Sequence, residues 1–80
     1  MQRKTVALSM MRNRQQGIVV GIAGGAGSIS RLSALGIHTG SHIVKKSTLI
    51  GAGPVIAAVG NTEIAIGHGM ASKVMVEVVE

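Results

Sequence analysis

Cysteine, phenylalanine, tyrosine and tryptophan are all absent from this chain. Without cysteine no disulfide can staple the fold and no thiolate can hold a metal, a pattern that suits a reducing compartment such as the cytoplasm. Without aromatic rings the core must be built from Ile, Val, Leu, Met and Ala, which suits a small, tightly curled structure. Base stacking, on which recognition of single-stranded nucleic acid leans, then has no platform. Aspartate is missing too, and the acids reduce to Glu63, Glu77 and Glu80. Acid–base catalysis needs convergent titratable groups, and none is visible here, so the chain is expected not to be an enzyme. No apolar run approaches the ~20 residues of a membrane-spanning helix. The longest, residues 17–27 and 49–60, are glycine-rich, and Thr5 to Met11 is too short and too broken by Ser9 for an export signal. A soluble, cytoplasmic protein without direct membrane insertion is expected.

What is present is basic charge, glycine and short apolar alternation. Eighty residues make one small domain, which buries only about 60–65% of the surface of its unfolded chain. The net charge is +5, with Arg3, Lys4, Arg12 and Arg14 all before Gly17 and no acid before Glu63. The chain therefore divides into a basic, partly ordered lead-in, residues 1–16, and a core domain, residues 17–80. A solvated tail is the plainer reading of that lead-in, and an anionic partner the alternative. Within it, Lys4 to Met11 allows a turn of helix or a short strand with Val6, Leu8 and Met10 on one face.

Gly17 to Ala23 alternates as a strand, with Ile18, Val20 and Ile22 opposite Val19, Gly21 and Ala23. Both sets are apolar or small, so the strand is expected to be covered on both sides, and Gly21 marks a bulge or bend. A glycine loop follows. Ser28 is the expected N-cap of a two-turn helix carrying Ile29, Leu32 and Leu35, which stops at Gly36. After a Gly40 turn, His42 to Leu49 reads as a strand with Ile43, Lys45 and Ser47 on one face. The loop Ile50 to Gly53 leads to Pro54, and Val59-Gly60-Asn61-Thr62 is a two-residue hairpin turn. Pairing Val59 with Thr62 places Val55, Ala57, Ile64 and Ile66 on one face, so turn and apolar pattern agree. Gly67 to Lys73 is a turn or a single helical turn. Val74 to Val79 closes the chain, with Val74, Val76 and Val78 inward. The total is mainly β, a small five-stranded barrel with one short α-helix between the first two core strands.

The run Gly21-Ile22-Ala23-Gly24-Gly25, followed by Arg31-Leu32 and Leu35-Gly36-Ile37-His38-Thr39-Gly40, resembles the FeoA family of bacterial ferrous-iron uptake. The later Leu49-Ile50-Gly51-Ala52-Gly53-Pro54 loop, the hairpin and the valine-rich last strand are similar as well, so the resemblance covers about residues 5 to 80. It implies an SH3-like barrel and an accessory role at the cytosolic part of the membrane transporter FeoB, at the inner face of the membrane. Two departures stand out: Gly67-His68-Gly69 replaces a stretch that is often basic, and the basic lead-in is unusual.

Three classes of site follow. The helix offers a partner surface, with Arg31 as an orienting cation beside the apolar anchors Leu32 and Leu35; the competing reading has both leucines plugging the barrel. His38, His42 and His68 are the only candidates for binding a divalent transition metal, Fe(II) or Zn, although nothing in the sequence makes the three converge. The basic residues, Lys45 and Lys46 included, allow at most a salt-sensitive phosphate contact, and no nucleic-acid partner is expected. The glycine loop does not fit a phosphate-binding motif. Exposed strand edges leave a homodimer open.

Overall fold

Among the described residues, six antiparallel strands, rather than five, form one sheet. In the computed structural model, which describes residues 2–48 and 53–79, the elements in chain order are Arg3–Ala7 (β1), Gln16–Ile22 (β2), Ala26–Ala34 (α1), His42–Thr48 (β3), Val55–Val59 (β4), Thr62–Ile66 (β5), His68–Ala71 (α2) and Val74–Val79 (β6). The strand order is β1-β6-β2-β3-β4-β5. The expected end of the third strand at Leu49 and the loop residues Ile50 to Ala52 lie outside the described residues.

The additional strand comes from the lead-in. β1 pairs with β6 from Arg3 opposite Val79 to Ala7 opposite Met75. Its first residues are exposed, and a single turn of 3-10 helix, Leu8–Met10, then carries the chain inward. Leu8 is wholly buried and Met11 nearly so, whereas Met10, expected on the same face as Leu8, points to solvent. Two of the core side chains thus come from before Gly17.

The core is one cluster that takes Val19 from β2, Ile43 from β3, Val55 and Ala57 from β4, Ile66 from β5, and Val74, Val76 and Val78 from β6. Inward side chains from strands at both ends of the sheet meet in that cluster, so the sheet curls around it as a small barrel. The hairpin register is the expected one: Val59 faces Thr62, Ala57 faces Ile64 and Val55 faces Ile66. Positive φ at Gly60 and not at Asn61 matches a type II′ turn.

β2 differs from expectation in its second face. Val19 is buried, but Ile18 and Val20 are exposed, so this strand is covered on one side only. A bulge between Val19 and Gly21 then turns Ile22 back against the core. Gly17 has a separate reason to be glycine: a Cβ there would run into the Glu77 carbonyl oxygen and the Val76 and Val78 methyls of β6.

Candidate functional site

The surface around α1 is assembled mostly by backbone. The helix starts at Ala26, earlier than expected, with Gly25 as N-cap and no side-chain cap. Ser28 and Ile29 both donate their N–H groups to the Gly25 carbonyl. Ser28 therefore lies in the first turn rather than capping it, and its hydroxyl accepts from Lys73 Nζ at 3.4 Å. The C-terminal stop is a Schellman closure. The Ile37 N–H donates to the Leu32 carbonyl at 2.8 Å and the Gly36 N–H to the Ser33 carbonyl at 2.9 Å, with Gly36 at φ +87°. Leu32 and Ile37, the side chains that this motif brings together, are both fully buried.

Only Leu32 of the helix is fully buried, which places it in the core as the barrel-plugging reading has it. Leu35 and Ile29 flank it at 42% and 47% exposure, large apolar side chains left half in water. Arg31 is exposed and lies four residues before Leu35, on the same helix face. The resulting surface has Leu35 with Arg31 beside it and Ile29 on the other flank of Leu32, on a helix held to the barrel by buried Leu32 and by the Ser28–Lys73 hydrogen bond. Ile29 replaces Leu32 in the patch, a substitution the helical spacing alone did not distinguish.

The histidines are spread over three segments. His38 is exposed in the loop after α1, its Nδ1 3.3 Å from the Ser41 hydroxyl. That hydroxyl accepts from the His38 backbone N–H and donates to the Gly36 carbonyl, both at 3.1 Å, so the loop has a built-in clasp. His42 opens β3 and hydrogen bonds through Nε2 to Gln16 Oε1 at 2.8 Å. His68 begins α2. No group of three metal-ligating side chains forms among the described residues.

Lys45 departs most from expectation. Instead of offering its charge to an anion, it points inward at 4% exposure. Its Nζ donates to the carbonyls of Ser9, at 3.0 Å, and Met11, at 2.6 Å. Burial pushes the ammonium below the ordinary lysine range. Its main chain holds the same loop: the Lys45 carbonyl accepts from Arg14 N–H at 2.6 Å and the Lys45 N–H donates to the Gln15 carbonyl at 2.9 Å. The strand alternation carried this signal, since Lys45 shares the face of the buried Ile43. Lys46, next to it, stays exposed.

Comparison with known proteins gives a consistent result. The FeoA domain family model matches residues 6–78. The chain is 38% identical over 72 residues to a candidate Fe(2+) transport protein A of Methanocaldococcus jannaschii, covering 88% of this chain and 83% of that one. The crystal structure of an iron uptake regulatory protein, FeoA, superposes with a TM-score of 0.84 at 38% identity, covering 91% of this chain and 95% of the other. The zinc complex of Stenotrophomonas maltophilia FeoA, described as a prokaryotic SH3 domain protein, has a TM-score of 0.74 at 23% identity, with coverage of 89% and 88%. The barrel is accordingly SH3-like.

Proposed function

Because the chain belongs to the FeoA family, we propose that it is a non-enzymatic accessory protein of ferrous iron uptake that works in the cytoplasm by binding the cytosolic part of the FeoB transporter. The observation that carries this reading is the α1 surface. A helix of nine residues that buries one of them fully keeps Ile29 and Leu35 half exposed. Covering such surface gains about 25 cal/mol per Å² of apolar area, which a folded partner supplies and water does not. Arg31 beside Leu35 adds orientation, since a rim cation selects the partner more than it tightens the complex. Against catalysis stands the spacing of the titratable groups: Glu63, His38 and His68 lie on separate segments, and Glu77 and His42, although on one face of the sheet, are set apart by Ile18 on the strand between them.

Co-purification of the transporter's cytosolic domain with the wild-type chain tests the reading. Leu35→Gln and Arg31→Glu should weaken capture, the leucine change by ~tenfold or more if it is an anchor of the interface. Both variants should melt close to wild type, because both side chains are exposed. A folded wild-type chain that captures nothing would sink the proposal.

A further inference from the structure

Four of the eight Lys and Arg residues precede Gly17, and the fold gathers three of them. Arg3, Arg12 and Arg14 line one open cleft of about 730 Å³. Its floor is the outer face of the sheet, where Glu77, Ile18 and His42 stand opposite one another across β6, β2 and β3. Arg3 enters from β1, and the turn Arg12 to Gln15 supplies the remaining wall.

Two features separate this cleft from a scatter of surface charge. First, among the described residues Glu77 is the one acid in the lining and is engaged by Arg3, with Nη1 to Oε1 at 3.7 Å, while no ion pair holds Arg12 or Arg14. Second, Arg14 has φ +72°, the only non-glycine residue with positive φ among the described residues. Glycine or asparagine would occupy that backbone at less cost. An arginine held there against preference, with its side chain unused by the fold, points to a task for the side chain.

The chemistry of the cleft narrows the ligand. Three of the turn's four amides are occupied: Arg12 N–H donates to Gln15 Oε1 at 2.9 Å, Arg14 N–H to the Lys45 carbonyl, and Gln15 N–H to the Arg12 carbonyl at 3.0 Å. There is thus no cradle of free N–H groups of the kind that phosphate sites use. Glu77 also repels a doubly charged phosphate more than a single carboxylate. The half-exposed Ile18 and Val79 in the lining suit apolar side chains from an extended chain. We propose that this cleft binds an acidic segment of a protein partner, with carboxylates forked by Arg12 and Arg14 and apolar neighbours resting on Ile18 and Val79. The site is separate from the α1 surface and does not depend on which protein α1 meets.

Fluorescence anisotropy tests this with a short labelled Glu/Leu peptide and its Gln/Leu counterpart. The Glu/Leu peptide should bind the full chain, and Arg12→Gln/Arg14→Gln should weaken it by ~tenfold or more. Arg31→Gln/Lys73→Gln removes equal charge outside the cleft lining and should bind as wild type does. Arg14→Gly should melt higher than wild type yet bind more weakly. The proposal is overturned if the Glu/Leu peptide does not bind, if the two double variants lose affinity alike, or if the Gln/Leu peptide binds equally well. Displacement by inorganic phosphate at matched ionic strength, or preference for anionic lipid vesicles over the peptide, overturns it as well.

Discussion

The connection into β2, residues 11–15, and the connection out of it, residues 23–41, both turn sharply, and they are held by different means. The exit uses glycine at positive φ, at Gly24, Gly36 and Gly40, and closes helix α1 on its own carbonyls. The entry contains no glycine. It places Arg14 at positive φ, closes the turn with the Gln15 side chain, and is fastened from below by Lys45, more than thirty residues away on β3. One connection is built from local backbone preference, and the other depends on a distant buried ammonium. The first tolerates change in its neighbours and fails at its glycines. The second fails at a residue that is not part of it.

The strand between the two is the place where both break together. Gly17→Ala would put a Cβ against the β6 backbone and within 2.7 Å and 3.0 Å of the Val76 and Val78 methyls, both fully buried. The expected loss is about 3 kcal/mol or more, read as a lower urea midpoint. A variant within ~0.5 kcal/mol of wild type would mean that β2 and β6 are free to separate there, since changes without a structural cause fall in that range.

Lys45→Met is the next largest effect and acts on the entry alone. It leaves the Ser9 and Met11 carbonyls without their charged donor and should cost about 1–3 kcal/mol. Backbone amides at residues 12–15 should lose order in NMR relaxation while those of residues 34–37 do not change. Equal loosening of both connections would erase the distinction.

Two substitutions at similar backbone angles then give opposite signs. Gly36→Ala has room for its Cβ, whose nearest neighbour would be a Val59 methyl at 3.9 Å, so only its φ of +87° is strained. It should cost about 1–2 kcal/mol. Arg14→Gly relieves the same kind of strain and should gain up to ~1 kcal/mol, net of the freer unfolded chain. If thermal melts move both the same way, positive φ is not what sets the two connections apart.

The smallest effect is a slope. Because burial lowers the Lys45 pKa, the unfolded chain holds that proton more firmly than the folded one. Stability should therefore rise as pH climbs toward the ordinary lysine range, and the increment should vanish in Lys45→Met. A slope that is the same in both proteins would assign it to other groups.

The same contrast explains what could be read from the residues alone. The hairpin register followed from Gly60-Asn61 and the matching apolar pattern, the inward valines of β6 from strict alternation, and the helix stop from Gly36. Each is a local rule. β1 escaped notice as a strand of the sheet because Arg3, Lys4 and Thr5 are exposed on an edge whose pairing partner lies some seventy residues away. Ser28 attracted the N-cap reading because it is the usual residue type, but the cap is Gly25 and the helix begins three residues earlier. The exposure of Ile18 and Val20 follows from which side of the curled sheet faces out, and a strand apolar on both sides does not encode that. For the partner surface, spacing found the helix and Arg31 with Leu35, yet only the fold separates buried Leu32 from exposed Ile29. The arginine cleft was visible only as net charge, because four strands and a distant lysine are needed to assemble it.

Attachment of α1 through a single fully buried side chain, Leu32, helped only by the Ser28–Lys73 hydrogen bond, also has a consequence in time. A helix pinned by one buried side chain can detach while the sheet stays intact, so its amides should exchange with deuterium through a local opening of low free energy, well below that of the β6 amides. Whatever covers Ile29 and Leu35 would hold Leu32 in its socket and slow that exchange. Protection of residues 29–32, followed as a titration, would then report occupancy of the surface even for a partner too weakly bound to survive purification.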